Sequence, residues 1–317
     1  MTTAAPKAAP GRRLPAWLAW VLRGAVLLSL LAYILHGLDF PKVGETLRKL
    51  PPPVFLIGIA LLALGQLLQA ARWKVLLRDP AIRYLDCLAF ISMGASLNLV
   101  SPSGILSDGT VAYWMGRRNQ AVMRSMSTLL ASRFIGIFGM GLLFLAALPS
   151  HLWVFGKLTF AWAPAKALFL FAALGSLATL ALLARRHQER VRRLVLQALP
   201  VLSSPRALLV SVVLSVAIQL CQFLMMLAGF RAMDIPVGVL DILFFAPIMT
   251  FLGMIPMSIG GIGVREGLSI FFFTLLPGVE KEHLLAHAGY GYVLLLGMAA
   301  VNISLAFAVL GRPGASS

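Results

Sequence analysis

The chain has 317 residues, of which 60% are hydrophobic and 12% are charged, and its mean hydropathy is +0.90. A water-soluble fold of this length cannot bury so much apolar surface, whereas a bilayer takes up about 20 apolar residues per spanning helix. The net charge of +16 does not indicate nucleic-acid binding, because the basic residues are spread between apolar segments rather than gathered in one patch.

Apolar segments in chain order predict six full spans near residues 17–35, 54–71, 125–148, 163–184, 207–229 and 285–310. Two further segments, 85–116 and 239–276, are apolar but interrupted by Pro, Gly, Ser and charge, which predicts re-entrant or broken helices. The fold class is therefore an all-α polytopic membrane protein. We divide it into a cytoplasmic tail (1–16), one transmembrane domain (17–310) and a second cytoplasmic tail (311–317). The first span lacks an A-x-A cleavage site, so we interpret it as an uncleaved helix rather than a signal peptide.

The positions of Lys and Arg orient these segments. With a cytoplasmic N-terminus and interrupted segments that enter and leave on one side, 17 of the 27 basic residues are cytoplasmic and seven lie outside. An excess of Lys and Arg in short loops marks the cytoplasmic side. We therefore predict a multi-pass protein of the cell (inner, cytoplasmic) membrane with both termini cytoplasmic. The loop from Arg185 to Arg206 is predicted to be cytoplasmic, and loops 230–238 and 277–283 to lie outside.

The order of these segments predicts an inverted repeat. Residues 17–148 and 163–310 each contain two spans, an interrupted element and a third span, and the two halves start from opposite sides of the membrane. This plan recurs in secondary transporters, whose discontinuous helices meet near the midplane. Aligning "PSGILSDGTVAY" with "PMSIGGIGVREG" matches Pro102 with Pro256 and Gly109 with Gly263.

Four motifs resemble one known family. They are "ARWKVLLRD" (71–79), "NLVSPSGILSDGTVAYWMGRR" (98–118), "ASRFIGIFG" (131–139) and "IPMSIGGIGVREG" (255–267). Together they resemble the lysylphosphatidylglycerol synthase transmembrane-region family, also described as flippase-like membrane proteins. The resemblance covers nearly the whole chain, and the last motif is its most specific element.

The chain departs from the family pattern in its first half. Leu106 and Ser107 stand where Gly-Gly is usual, Val111 stands where an arginine is common, and Ser132 stands where an acid often precedes Arg133. The first half-site therefore carries less charge than the resemblance implies. Larger family members carry a C-terminal aminoacyl-transfer domain, and because the chain ends at Ser317 we expect no such activity.

The second break has the properties of an anion site. Pro256 lacks an N–H, and glycines tolerate backbone shapes that expose N–H groups. A helix restarting near Gly263 would direct its positive end into a cavity, where it favours phosphate. Arg265 adds a planar, permanently charged fork suited to phosphate oxygens. The substrate-binding candidates of the two motifs are Arg265, Glu266, Asp108, Arg133, Ser258, Gly260, Gly261, Gly263, Asn98, Pro102 and Pro256.

Structural interpretations of the same residues remain open. Glu266 balances Arg265 or binds a coupling proton, and Asp108 has the same two roles at the other break. Alternatively, Arg265 and Glu266 form a structural ion pair, with each other or with Asp108 and Arg133, because an unpaired charge is costly in a bilayer. Arg72 and Trp73 resemble an interfacial anchor.

The motifs of common enzymes and cofactor sites do not fit the sequence. Cys87 and Cys221 lie in or beside apolar runs and predict neither a disulfide nor a metal site. "EHLLAH" spaces His283 and His287 like a zinc helix, but Glu282 precedes the first histidine and a third ligand is not apparent. A G-x-x-x-x-G-K-[ST] loop is also absent from the sequence. We expect no enzyme activity, no cofactor and no metal.

These features predict a lipid flippase or transporter that handles a phosphate-bearing lipid: a phospholipid, an aminoacyl-phospholipid or a polyprenyl-phosphate carrier. The expected partners are membrane lipids, together with a separate lipid-modifying synthase or glycosyltransferase, and not nucleic acid. One alternative is a membrane-embedded enzyme or accessory subunit in lipid-linked glycan or lipid modification. Another is a structural scaffold for a partner synthase.

Overall fold

The computed structural model describes residues 40–80, 82–100, 109, 111–116, 122–152, 189, 192, 196, 204–253 and 263–310. Within these residues the regular structure is helical throughout, as the composition predicts. The predicted spans near 17–35 and 163–184 and both predicted tails lie outside the described residues.

Four long helices are long and apolar enough to cross a bilayer, and they coincide with four of the six predicted spans. We name them α2 (Pro52–Leu77), α4 (Val122–Ala147), α5 (Pro205–Ala232) and α8 (Lys281–Leu310). Proline at the first helical position favours the start of α2 and α5, because the N–H it lacks would have had no partner there. A short 3₁₀ turn, Leu148–His151, extends α4.

Shorter helices lie between the long ones. They are α1 (Phe40–Arg48), α3 (Tyr84–Val100), α6 (Val239–Gly253) and α7 (Val264–Phe273), and residues 111–116 are also helical. The predicted interrupted segment 85–116 thus contains α3 and the 111–116 stretch, and the segment 239–276 contains α6 and α7. The described pieces of both segments are helical, whereas the predicted breaks at 101–108 and 254–262 lie outside the described residues.

The helices α3 and α6 begin with the same capping carboxylate. Their sequences "YLDCLAF" and "VLDILFF" share the pattern L-D-x-L-x-F, a repeat that the motif alignment above missed. An Asp86 oxygen accepts the backbone N–H of Arg83 at 3.1 Å, and an Asp241 oxygen accepts that of Gly238 at 2.6 Å. A carboxylate at this position satisfies an orphan N–H and the helix dipole, so both sequences start a helix in the same way.

The long helices α2 and α5, which hold equivalent places in the two halves, run antiparallel. Arg72, near the end of α2, donates to Ser215, near the start of α5, over 2.7 Å. The two helices are also in contact near their middles, because a Cβ built on Gly65 of α2 would lie 3.9 Å from the Cβ of Cys221 on α5. The contacts of the first half recur in the second, where α5, α6 and α8 are the equivalents of α2, α3 and α4. The helices α2 and α3 both pack on α8, and their equivalents α5 and α6 both pack on α4. The order, direction and packing of the helices are those of an inverted repeat.

One end of the bundle is defined by an ion pair and a histidine–aspartate contact. Lys42 Nζ lies 2.6 Å from Glu280, and His151 Nε2 lies 2.8 Å from Asp241. These contacts bring together α1, the end of α4 and the starts of α6 and α8. We call this end the Lys42 face. The exposed pair also holds the pKa of the Glu280 carboxyl below its usual range, because Lys42 donates a hydrogen bond to it.

The opposite end holds the end of α2 and the starts of α3, α4 and α5. Arg124 pairs with Asp79 over 3.3 Å, and Lys74 donates to the Asp79 carbonyl over 2.7 Å. We call this end the Asp79 face. The first interrupted segment leaves and returns to the Asp79 face, and the second leaves and returns to the Lys42 face. Each half therefore contributes one broken element from its own side, as the predicted topology requires.

Two apolar clusters hold this arrangement. The larger one packs α5 to α8 and is rich in aromatic rings, among them Phe230, Phe244, Phe245, Phe273 and Tyr290. The smaller one packs α2, α3 and residues 111–115. Trp73 belongs to the smaller cluster and Arg72 is also buried, so the interfacial-anchor interpretation of this pair is wrong. The Arg72 guanidinium lies inside the protein and joins α2 to α5.

The orientation of the two faces can be tested by cysteine labelling. We expect a membrane-impermeant maleimide to label Lys281→Cys on the Lys42 face of intact cells. Ser204→Cys on the Asp79 face should react only after permeabilisation, because the Lys/Arg-rich face is retained in the cytoplasm. The native Cys87 and Cys221 are buried and give a low background. Labelling of Ser204→Cys, but not Lys281→Cys, in intact cells would reverse the predicted topology.

Candidate functional site

The structure describes the second half of the predicted site and part of the first. Arg265, Glu266 and Gly263 lie at the start of α7, Arg133 lies on α4, and Asn98 lies near the end of α3. The remaining candidates lie outside the described residues: Asp108, Pro102, Pro256, Ser258, Gly260 and Gly261.

The helix α7 begins where the sequence predicts a restart. Gly263 is its N-cap and has a φ of +86°. A side chain is strained in this backbone region, and glycine enters it freely. Gly263 is therefore required by the backbone turn that leads into α7.

Glu266 caps the start of this helix. One carboxylate oxygen accepts the backbone N–H of Gly263 at 2.6 Å, and the other accepts the Tyr292 hydroxyl at 2.5 Å. Only 6% of Glu266 is exposed. The two donors hold the carboxylate at the start of α7, where its acceptor oxygens satisfy an orphan N–H of the helix. Sequence reasoning missed Tyr292, although the small-residue pattern "GYGY" (289–292) indicated a close helix approach around it.

Arg265 points away from this cap. Its side chain is exposed, and its guanidinium lies against Gly291 of α8, where an added Cβ would come within 2.8 Å of Nη2. The positive charge also acts on the nearby rings of His287 and Tyr292. Because Gly291 has no side chain, the surface of α8 has a recess in which a guanidinium fits.

Arg265 and Glu266 are neighbours in sequence but not an ion pair. Among the described contacts, Arg265 forms no hydrogen bond and no ion pair, whereas both Glu266 oxygens bind the donors of the cap. Among the described residues the carboxylate thus bonds to the cap and not to the guanidinium.

The Arg265 guanidinium lies deep in the apolar layer. Gly291 follows the first residue of α8, Lys281, by ten positions, or about 15 Å along a helix axis. The hydrocarbon core is about 30 Å thick. Arg133, similarly, follows the start of α4 at Val122 by eleven positions, about 17 Å. The two arginines thus lie at similar depths from opposite faces of the inverted repeat.

The remaining described candidates, Asn98 and Arg133, lie on α3 and α4. Asn98 is exposed at the inner end of α3, and Arg133 is half-buried. Val111 occupies the position that aligns with Arg265, and it belongs to the smaller apolar cluster. Its side chain packs so closely on Gly94 of α3 that a Cβ built on that glycine would lie 2.9 Å from a Val111 methyl. The charge-bearing start of α7 therefore corresponds to an apolar contact in the first half.

The two histidines of "EHLLAH" serve separate contacts. His287 is buried, binds the Met226 carbonyl through Nε2 at 3.1 Å and packs on Phe230. His283 is half-exposed and lies 3.8 Å from Glu280. Within the described residues, no group of three or more His, Cys, Asp and Glu side chains is placed to hold a metal ion.

Comparison with known proteins identifies the family. A family model described as the lysylphosphatidylglycerol synthase TM region matches residues 20–310. No curated protein and no solved structure matches the chain. The apolar helices and this match make the chain a multi-pass membrane protein of phospholipid metabolism or transport. It belongs to the lysylphosphatidylglycerol synthase TM region family.

Proposed function

We propose that the protein is a flippase-like transporter that binds the phosphate head of a lipid and moves it across the membrane. The observation that carries the proposal is the Arg265 guanidinium, which is exposed deep in the apolar layer while its neighbouring carboxylate is engaged elsewhere. The substrate is a phospholipid, an aminoacyl-phospholipid or a polyprenyl-phosphate carrier.

Burial of an exposed cation in lipid is unfavourable, which supports a polar ligand for Arg265. On insertion scales, placing an arginine at the bilayer centre costs about 2.5–3.5 kcal/mol of free energy. The described structure offers Arg265 no carboxylate to offset this cost. Water in a cavity, or an anionic head group, stabilises the charge, and a guanidinium binds two phosphate oxygens at once.

The cap at Glu266 supports the same assignment because it holds this carboxylate away from the Arg265 guanidinium. A carboxylate that paired with Arg265 would have to be displaced before an anion could bind. Instead, Glu266 is held by the Gly263 N–H and by Tyr292. We therefore assign Glu266 to shaping the start of α7, and Arg265 to binding the phosphate.

The inverted repeat supplies a mechanism for movement. Rocking of the two halves about the antiparallel contact of α2 and α5 would open the site to one face and then to the other. We assign the protein to the cytoplasmic membrane with both termini cytoplasmic, and we propose transport without chemical conversion of the lipid. A separate lipid-modifying synthase or glycosyltransferase would make or use the transported lipid.

Purified protein in liposomes tests the proposal directly. A membrane-impermeant quencher reaches fluorescent phospholipid in the outer leaflet only. We expect the protein to move labelled phospholipid from the inner to the outer leaflet and so to raise the quenched fraction. Liposomes without protein, and liposomes with an unrelated membrane protein, are the controls. Unchanged protection across phospholipid, aminoacyl-phospholipid and polyprenyl-phosphate probes would contradict a transport function, and a chemically altered lipid would indicate an enzyme.

Arg265 variants separate a binding role from a structural role. Arg265→Lys keeps the charge but loses the planar fork, so we expect transport to fall about tenfold, the effect of one lost charge-assisted hydrogen bond. Arg265→Met should abolish transport but keep the melting temperature in detergent, because no buried carboxylate loses its partner. Glu266→Gln provides the comparison, since its amide oxygen can still accept the Gly263 N–H.

The double variant Arg265→Met with Glu266→Gln decides between the two interpretations. We expect it to fold and to be as inactive as Arg265→Met alone. Lipid transport restored to the parental rate in the double variant would show that the two charges only balance each other.

Gly291 tests the position of the guanidinium without changing its charge. A Cβ at Gly291 would meet Nη2 at 2.8 Å, so we expect Gly291→Ala to displace Arg265 and slow transport severalfold. Gly297→Ala on the same helix is the matched control, because its Cβ would meet only Ile59 at an ordinary 3.8 Å. Equal transport rates for the two variants would show that the recess at Gly291 does not position the guanidinium.

A further inference from the structure

The hydroxyl of Tyr292 on α8 contacts the start of α7. It donates to one oxygen of Glu266 over 2.5 Å, while the other oxygen accepts the Gly263 N–H at 2.6 Å. Both oxygens therefore act as acceptors, as in a carboxylate. Among the described contacts, Tyr292 is the one side chain that donates to Glu266. Its hydroxyl is thus the bond by which α8 fixes the direction of this carboxylate.

Two successive residues of α8 contact the two charged side chains of α7. A Cβ added at Gly291 would come within 2.8 Å of Nη2 of Arg265, and Tyr292 is the next residue. The charge of Arg265 also acts on the Tyr292 hydroxyl, which is bonded to Glu266. The guanidinium and the carboxylate are therefore near each other, and α8 holds them in separate places.

Glu266 needs a donor in place of the hydroxyl when Tyr292 does not supply one. Only 6% of Glu266 is exposed, and a buried acceptor without a partner is unfavourable, more so when it is charged. Adjacent residues of a helix do not face each other, so Glu266 pairs with Arg265 only if one of the side chains turns. Both side chains have several rotatable bonds, and a guanidinium binds a carboxylate strongly. Arg265 is therefore the donor that we expect Glu266 to reach.

A guanidinium that is paired with Glu266 binds phosphate weakly. The competing carboxylate belongs to the next residue, so its effective concentration at Arg265 is high. The apparent affinity for an anion falls with the fraction of protein in which the guanidinium is not occupied by Glu266. The phosphate site therefore depends on a bond that the phosphate does not touch.

We propose that Tyr292 is a positioning residue that holds Glu266 away from Arg265 and so keeps the phosphate site open. Without the hydroxyl bond, the carboxylate turns to the guanidinium, and the site inhibits itself. The consequence for lipid binding rests on the proposed function. The change of partner within the protein does not rest on it and can be measured without lipid.

Thermal melting of the purified protein in detergent, without added lipid, tests the change of partner. Tyr292→Phe keeps the ring and removes only the hydroxyl. In the parent, Arg265→Met should leave the melting temperature unchanged, because Glu266 is bonded to the cap. In Tyr292→Phe, the same change should lower the melting temperature by about 3–6 °C, the effect of one charge-assisted hydrogen bond. Equal effects of Arg265→Met in the two backgrounds would overturn the proposal.

Native mass spectrometry, with a phospholipid and the matching diacylglycerol supplied together, measures the consequence for binding. Tyr292→Phe should lower the preference for phospholipid about tenfold, as one charge-assisted hydrogen bond does. Adding Glu266→Gln should restore the preference to that of Glu266→Gln alone, because a neutral amide does not neutralise the guanidinium. A merely structural role of Tyr292 gives no such rescue. A double variant with the low preference of Tyr292→Phe would contradict the positioning role.

Tyr290→Phe is the matched control. Tyr290 lies on the same helix, is fully buried and donates its hydroxyl to the Val54 carbonyl over 3.1 Å. The control should keep the parental preference for phospholipid, and Arg265→Met should leave its melting temperature unchanged. An equal loss of preference in Tyr290→Phe would show that the effect is not specific to the bond with Glu266, and the proposal would fail.

The two measurements distinguish this proposal from the proposed function. A parent that retains phospholipid and diacylglycerol equally would contradict phosphate binding at Arg265. The melting comparison would still decide whether Tyr292 keeps Glu266 from the guanidinium, because it requires no lipid.

Discussion

The arrangement depends on one constraint: inside a bilayer, each polar backbone group and each charge must find a partner within the protein or in water. Breaking a helix at this depth exposes N–H groups, and Glu266 meets part of that cost by binding the Gly263 N–H. Tyr292 holds the carboxylate in place from α8. Because Glu266 is used in this way, no carboxylate within the part of the chain that the structure describes is bonded to Arg265. The structural needs of the break thus create the chemistry of the candidate site.

The inverted repeat relates two sites that meet the same constraint differently. Both α3 and α6 begin with an aspartate that caps the helix, but only Asp241 is joined to a histidine of the other half. Likewise, Arg265 at the second break corresponds to the apolar Val111 at the first. The proposed phosphate site therefore falls in the second half. Among the described contacts of the first half is the buried bond from Arg72 to Ser215 on α5.

The sequence predicts the elements of this fold well because each depends on local composition. Apolar length predicts the long helices, and the glycines before Val264 predict the restart at Gly263. Contacts between distant segments are not predictable in this way. Tyr292 and His151 reach Glu266 and Asp241 from 26 and 90 residues away, and only the fold brings them together. The anchor interpretation of Arg72 is wrong for the same reason, because the exposure of an Arg-Trp pair depends on which helix covers it.

The central claim is that the Arg265 guanidinium binds the phosphate of a lipid. Native mass spectrometry of the purified protein, with a phospholipid and the matching diacylglycerol supplied together, measures this most directly. We expect the parent to retain the phospholipid in preference to the diacylglycerol, and Arg265→Met to lose the preference while Glu266→Gln keeps it. The same preference in the parent and in Arg265→Met would contradict the account.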